Sequence, residues 1–436
     1  MGIVLKNALL ADLDPARVER GGLRIEGGRI VERGAAASEL PGDEVVDCGG
    51  AVVLPGLVNG HAHLYSALAA GMPAPPPAPQ NFVQTLEYVW WRLDRALDAL
   101  SIETSGRVGA LDAVRCGTTT LIDHHASPEC IDCSLDFLER GVADVGLRAV
   151  LCYETTDRNG RAGREAGIEE NHRYLEKRRA EPSTQFAGMV GAHALFTLED
   201  ETLDLLAELA ERFETGVHVH VAEDAADEAA CREQHGVALV ERLAAHGLLN
   251  AKAVFVHGTC LDAEALARVG AAGVTLAHNP RSNMNNAVGY APVATYGGPV
   301  MLGTDGIGSD MFAEAQAAWW IARHEHAALS PAAILGMLAT NARRASASLG
   351  VTLGKLEVGA AADVVLTDWQ PATPLTSENL AGQFIFALRG SCVASVVVDG
   401  KWVLRERTVV MCDEAGARTA AQDVARAMWG RMAELA

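Results

Sequence analysis

The chain has 436 residues, 49% of them apolar and 21% charged, a balance that excludes disorder and leaves room for one large domain and a smaller one. A formal net charge of -20 excludes the basic surface that a nucleic-acid backbone requires, so the expected partner is a small molecule. Nine cysteines scattered over a long chain are no disulfide framework. With no signal-peptide stretch after Met1 and no apolar run of transmembrane length, a reducing cytoplasm and no membrane are expected.

Residues 1–54 alternate apolar and polar positions between glycine-rich turns, from Gly2 to Leu10, Leu23 to Val31 and Glu44 to Asp47. That period of two predicts short strands and hairpins. The same character returns at Ala362 to Leu366 and Val396 to Val403. Neither piece buries a sheet face alone, so both chain ends, 1–54 and 355–412, are expected to pair into one small β domain. The Ala-rich stretch 413–436 predicts a terminal helix packed on the outside.

Between them, residues 55–354 carry eight apolar, β-rich runs, at 57–64, 118–124, 147–154, 186–194, 216–223, 253–258, 274–279 and 300–306. Helical stretches such as 81–115, 199–214, 234–246 and 262–269 separate them. The alternation predicts an α/β fold, a (β/α)8 TIM barrel, with an open doubly wound sheet as the competing arrangement. No G-x-G-x-x-G follows the first run, so nothing points to a dinucleotide. The proline-rich stretch 73–79 is neither helix nor central strand. It reads as a rim loop or a plain connector after the first strand.

Side chains two apart on a strand point the same way, so His61 and His63 present two imidazoles that can chelate one metal ion. A satisfied core pair is the bland reading of such a match. Barrel active sites lie at the carboxyl ends of the strands, and there the fifth run ends in His220 and Glu223, the sixth in His257 and the eighth in Asp305. Four apolar strands closing on ligand-capable groups shift the balance to a metal site. His218, one pleat before His220, points deeper and is expected to support or pack rather than ligate. Asp123, His124 and His125 end the second run and either line the pocket or cap a loop. Trp90 and Trp91 pack by default, although one of them can reach the pocket to stack on a planar ring. Cys130 and Cys133 form a lone CxxC, read as two unrelated thiols. His324 and His326 lie in a helical stretch where such positions diverge, which argues against a shared metal.

The motifs PGLVNGHAHL (55–64), GAHALFT (191–197), VHVHVAE (217–223), VHG (256–258), LAHNPRSNM (276–284) and LGTDG (302–306) resemble the amidohydrolase superfamily. The matching branch is the cytosine-deaminase-like one, which includes atrazine chlorohydrolase, guanine deaminase and S-adenosylhomocysteine deaminase. QNFVQTLEYVWWRLDRAL (80–97), TTTLIDHHASP (118–128) and GTDGIGSDMF (303–312) resemble the SsnA-type aminohydrolases more closely. The resemblance implies a barrel flanked by a composite β-sandwich, and His61, His63, His220 and Asp305 as ligands of one divalent metal. Zn²⁺ suits such a site, and Fe²⁺ or Mn²⁺ is tolerated. Relatives with two metals carry a bridging Lys at the end of the fourth strand, where this chain has Gly191, Ala192, His193 and Ala194.

The same resemblance implies that Asp305 takes a proton from the metal-bound water, that Glu223 passes one to the substrate ring and leaving group, and that His257 steadies the hydroxide or oxyanion. His193, Trp90, His125, Ser282 and Asn283 are the expected substrate-binding residues. The implied activity is hydrolytic deamination of a purine, pyrimidine or triazine with release of ammonia. Ring opening of a cyclic amide or ureide is the alternative. A barrel without catalysis is a third reading, opposed by the intact set of polar strand ends. A homodimer is expected from the resemblance alone. Between Gly306 and Asp310 the chain lacks the Asn-rich stretch that many relatives share, so the resemblance does not carry their substrates over to it.

Overall fold

In the computed structural model, which describes residues 2–435 apart from Ala36 and Pro75, the two β-rich chain ends meet in a single sheet. Met1, Ala436 and Pro75 of the proline-rich stretch lie outside the described residues. The amino-terminal part supplies β1 (Ile3–Leu13), β2 (Ala16–Glu26), β3 (Arg29–Gly34), β4 (Glu44–Asp47) and β5 (Val52–Pro55). The barrel supplies β6 (Leu57–Ala62), β7 (Thr118–His125), β8 (Arg148–Tyr153), β9 (Phe186–Gly188), β10 (Val190–Ala194), β11 (Val217–Val221), β12 (Val254–His257), β13 (Thr275–His278) and β14 (Val300–Leu302). The carboxyl-terminal part adds β15 (Val364–Thr367), β16 (Val393–Val398), β17 (Lys401–Arg405) and β18 (Thr408–Val409).

The end-built sheet runs β18-β17-β16-β15-β5-β1-β2-β3, with β4 also on β1. Its join is β5, parallel to β1 through Leu10↔Val53 and antiparallel to β15 through Leu366↔Val53. Leu5, Leu10, Leu23, Ile25, Ile30, Val53, Val364 and Val397 bury one shared core. The Trp402 indole N–H donates to Glu44 Oε2 at 3.1 Å and brings β17 over β4.

The barrel is two parallel arcs, β6-β7-β8-β9 and β10-β11-β12-β13-β14. Isolated parallel bridges, Thr155↔Ala192 and Ala62↔Asp305, link the two arcs among the described residues. The expected fourth strand is thus split at Met189, β9 serving one arc and β10 the other. Val58, Ile122, Val150, Val254, Val256, Ala277 and Met301 fill the interior below the site. At the second seam Gly303 allows a close approach: a side chain there would stand 2.9 Å from the His61 backbone N and 2.3 Å from Asn279 Oδ1.

Arg148, at the start of β8 and fully buried, ties the barrel to the sheet. Its Nε and Nη2 donate to the Asp363 carboxylate at 2.8 and 2.9 Å, and Nη2 reaches Asp399 at 3.1 Å. The expected helix 81–115 is broken into Phe82–Thr85, a π-turn Leu86–Trp90, Trp91–Arg95 and Ala99–Arg115. Asp98 starts the last piece by accepting from the Ser101 N–H at 2.8 Å. The expected helix 234–246 is likewise two helices, Ala225–His235 and Leu239–Ala245, parted at Gly236 with φ 70°. The terminal helix Glu414–Glu434 lies outside, held where the Trp429 indole donates to the Leu68 carbonyl at 2.9 Å. Among the described residues no helix is long and apolar enough to cross a membrane.

Candidate metal centre and active-site cavity

β6 ends in His61 and His63, β11 brings His220, and the turn after β14 brings Asp305. One ligand atom from each lies within 4.8 Å of the others. His63 Nδ1 stands 2.6 Å from the His124 carbonyl and His220 Nδ1 stands 2.8 Å from the His193 carbonyl. A carbonyl only accepts, so both Nδ1 atoms carry hydrogen and both Nε2 atoms present lone pairs.

His61 reaches the same state by a longer route. Its Nδ1 lies 2.9 Å from His218 Nε2, His218 Nδ1 lies 3.8 Å from Cys152 Sγ, and that thiol donates to the Asp123 carbonyl at 3.4 Å. Run from the terminal carbonyl, the chain gives His218 the hydrogen on Nδ1 and His61 the hydrogen on Nδ1. His61 Nε2 is then bare, and it is buried without a hydrogen-bond partner.

These bare atoms fit a cation. His63 Nε2 faces His220 Nε2 at 3.2 Å, and Asp305 Oδ1 lies 3.0 Å from His63 Nε2 and 3.6 Å from His61 Nε2. Ligands placed tetrahedrally at Zn–N bond lengths stand about 3.3 Å apart. Burial pushes the His61 imidazole down to about 3 despite Asp305. Burial also opposes charge on His63, but Asp305 first, then Glu154 and Asp123, lift it to about 9. The carboxylates therefore hold a positive charge at this point, and a divalent ion supplies it in place of the proton.

Around the cluster the backbone is strained where it aims side chains. Ala222, His257 and Asp305 adopt φ of 50°, 73° and 55°, in the left-handed region that costs a non-glycine residue roughly 1–3 kcal/mol. Asp227 helps to hold this turn, accepting from the Ala222 N–H at 2.8 Å and the Phe196 N–H at 3.2 Å. Asp305 Oδ2 accepts from Ser282 Oγ, which leaves Oδ1 for the cluster. Glu223 accepts from Asn286 Nδ2 at 3.2 Å and lies 3.3 Å from His257 Nε2. Burial raises the Glu223 carboxyl above its ordinary range, and Asp305 adds to the effect against the pull of His257. His257 gives its Nδ1–H to Asn283 Oδ1 at 2.8 Å, leaving Nε2 directed at the site.

The cavity above the cluster opens to solvent and, with its mouth, holds about 790 Å³ of empty space. Tyr65, Phe82, Trp90, Trp91 and Phe196 form its apolar walls, and His63, His220, Glu223, Asp305, His193 and Ser282 line its polar side. Seven of the eleven expected site residues line this cavity, His63, His220, Asp305, Glu223, His193, Trp90 and Ser282, and His61 and His257 sit in the cluster beneath them. Asn283 is not among the lining residues and stands behind His257. His125 faces away, its Nε2 3.0 Å from Ser127 Oγ and its ring against Tyr65 and Tyr153. The neighbouring His124 is the one that points inward, at His61, His63 and His218. Of 73–79, the described residues are exposed apart from Pro79 and none lines the cavity.

Glu154, immediately after β8, is a lining carboxylate that reading the sequence did not single out. It follows an apolar run just as Asp305 and His257 do, so the rule applied to the other strand ends would have found it. Trp91 joins Trp90 in the wall because the π-turn sets both against the cavity.

The Amidohydrolase family matches residues 52–403. The chain is similar to a 5'-deoxyadenosine deaminase of Methanosarcina acetivorans, 30% identical over 444 residues, covering 98% of this chain and 99% of that protein. It is 28% identical over 424 residues to a 5-methylthioadenosine/S-adenosylhomocysteine deaminase of Pyrococcus furiosus, covering 94% and 97%. Among solved structures, a zinc-bound adenosine deaminase from Xanthomonas campestris superimposes with a TM-score of 0.84 at 23% identity, over 97% of this chain and 98% of that one. The zinc complex of atrazine chlorohydrolase TrzN from Arthrobacter aurescens gives 0.83 at 20% identity, over 97% and 100%. These two share the fold.

Proposed function

Because the chain belongs to the amidohydrolase family, we propose that it is a metal-dependent hydrolase that removes an amino group from a nitrogen heterocycle as ammonia. The observation that carries this reading is the convergence of three bare imidazole nitrogens and one carboxylate oxygen beneath an aromatic-walled cavity, with Glu223 beside them.

His61, His63, His220 and Asp305 would hold the ion, which when bound supplies hydroxide at neutral pH by acidifying a water. Asp305, whose Oδ2 is fixed by Ser282, would take a proton from the water to be activated. Glu223, whose carboxyl burial raises above its ordinary range, hands a proton to a ring nitrogen and then to the departing amine. His257, oriented by Asn283, directs Nε2 at the reacting oxygen. The aromatic walls sandwich a flat ring and exclude water.

The same reading divides the chain at 1–54, 55–354, 355–412 and 413–436 and places it in the SsnA-type subgroup on the motifs at 80–97, 118–128 and 303–312. Nine unpaired cysteines support a reducing cytoplasm, and the family resemblance supports a homodimer.

The test is ammonia release by zinc-loaded protein across aminated purines, pyrimidines, pterins and triazines, with Asp305→Asn as control. Release by the native protein alone is expected. A new carboxylate without ammonia would move the reading to ring opening, and silence from the whole panel would sink it.

A further inference from the structure

Glu154 lies in the cavity wall, 4% exposed, with no task in the reaction above. Its two oxygens are held differently. Oε2 lies 3.1 Å from His124 Nδ1, and His124 is committed on its other side, where Nε2 stands 3.1 Å from the carbonyls of both Ala192 and His218. Oε1 faces His193 Nε2 at 3.6 Å, too far for a hydrogen bond.

The tautomer of His193 follows from its surroundings. Thr197 gives its hydroxyl hydrogen to the Ala194 carbonyl at 2.9 Å and so accepts from His193 Nδ1 at 2.7 Å. His193 Nε2 then carries a lone pair, because the ring hydrogen is spent on Thr197. Two acceptors therefore face each other across 3.6 Å with no donor between them. The nearby guanidinium of Arg158 is committed to Asp94 and lies over the Trp91 ring.

Both carboxylates flank the metal cluster. Glu154 has an oxygen within 4.8 Å of a ring nitrogen of His63, and Glu223 has one within 4.8 Å of an Asp305 oxygen. A heterocycle whose reacting carbon sits over the cluster meets Glu223 from the β11 side and Glu154 from the β8 side.

We propose that Glu154 Oε1 and His193 Nε2 form an acceptor pair for a substrate N–H, and that Glu154 selects heterocycles carrying a ring N–H or second amino group beside the reacting carbon, on the side away from Glu223. The inference rests on the deaminase reading for the placement of that carbon. Among the described lining residues there is no lysine or arginine, so none pairs with a phosphate or carboxylate group on the substrate.

Binding is read apart from turnover, in zinc-loaded protein carrying Glu223→Gln, by quenching of tryptophan fluorescence. The probes are three pairs: 2-amino-4-pyrimidinone and its 3-methyl form, 2-amino-6-purinone and its 1-methyl form, and triaminotriazine and its bis(dimethylamino) form. In at least one pair the N–H member should bind about tenfold or more tighter, the size expected of a hydrogen bond to a charged group. Adding Glu154→Met should abolish that preference, because it removes both acceptor oxygens whichever ring nitrogen of His124 carries the hydrogen.

A steric clash with the methyl group would survive the Glu154 substitution, so a persisting preference overturns the proposal. Equal affinity within every pair, or no binding by any member, also overturns it. If the double variant fails to fold or to hold zinc, the comparison within pairs in the Glu154 protein decides. Selective binding with no ammonia from the native protein would sink the deaminase reading and leave the acceptor pair standing, whereas ammonia without selectivity overturns the pair alone.

Discussion

His218 touches no ligand site of its own, yet its replacement by Phe should weaken zinc binding. A slightly larger ring takes its place, and the acceptor for the His61 Nδ1–H, 2.9 Å away, is lost together with the weaker contact of Nδ1 to Cys152 Sγ at 3.8 Å. With the metal bound, His61 must keep Nε2 bare, so its hydrogen stays on Nδ1 and is left buried without a partner, at a cost of about 1–3 kcal/mol. Without the metal the ring can move that hydrogen to Nε2, on the side of the Asp305 carboxylate, whose negative charge favours it there even at 3.6 Å. The cost then falls mainly on the loaded state. At about 1.4 kcal/mol per factor of ten, it corresponds to roughly a 10–100-fold loss of zinc affinity, the range seen when partners of metal-bound histidines are removed.

The assay is competition between the protein and a zinc chelator of known affinity, with melting temperatures recorded with and without zinc. His218→Gln, whose amide oxygen can accept the same hydrogen, should recover part of the loss. An unchanged zinc affinity in His218→Phe, with melting lowered equally in both states, would refute the relay and reduce His218 to packing.

Glu223→Gln should retain zinc while lowering turnover by about 10²–10⁴-fold, measured as ammonia release beside metal content. Equal loss of both would make Glu223 a ligand. Arg148→Met removes the partner of Asp363, itself 1% exposed, and should cost about 3–5 kcal/mol in a urea titration, with zinc content intact because the ligands lie at the other ends of the strands. Asp227 gives a pH test. Burial lifts its carboxyl to about 7 despite the Ala222 and Phe196 N–H groups, so the folded state keeps a proton that the unfolded chain loses near pH 4. Stability from this group is therefore full below about pH 4 and falls until about pH 7, by roughly 4 kcal/mol at most. Asp227→Asn should flatten that slope, so the variant should gain on the native protein between pH 5 and pH 8; parallel pH profiles would contradict the assignment.

The strand ends were legible because an apolar run that stops on His, Glu or Asp is costly unless the polar group has a task. That argument reaches His61, His63, His220, Glu223, His257 and Asp305 without any tertiary information. It extends to Glu154, where Tyr153 closes an apolar run in the same way, and the omission there was one of application. The inward-facing member of the pair His124 and His125 was within reach too. Consecutive strand residues alternate faces, so only one of them can join the cluster, but choosing between them needs the register of β7 on β8, where His124 pairs with Cys152. Other features were not legible. The π-turn at Leu86–Trp90 leaves the helical pattern of apolar residues unbroken, and the split of the fourth strand at Met189 depends on which arc each half joins. Asn283 lies next to Ser282 in the sequence, yet Ser282 reaches Asp305 whereas Asn283 reaches His257.

What the structure adds is the way one set of residues serves both halves of the site. The carbonyls that fix the tautomers of His63 and His220 belong to His124 and His193. The side chains of those same two residues face the two oxygens of Glu154. The backbone that keeps the metal ligands bare and the rings that set the acceptor pair therefore move together. A shift of β7 or β10 that loosened the metal ligands would also open the 3.6 Å gap between Glu154 and His193. The reacting carbon, positioned from the cluster, and the substrate edge, positioned from Glu154, are thereby held at one spacing, which is what aligning a flat ring for attack requires.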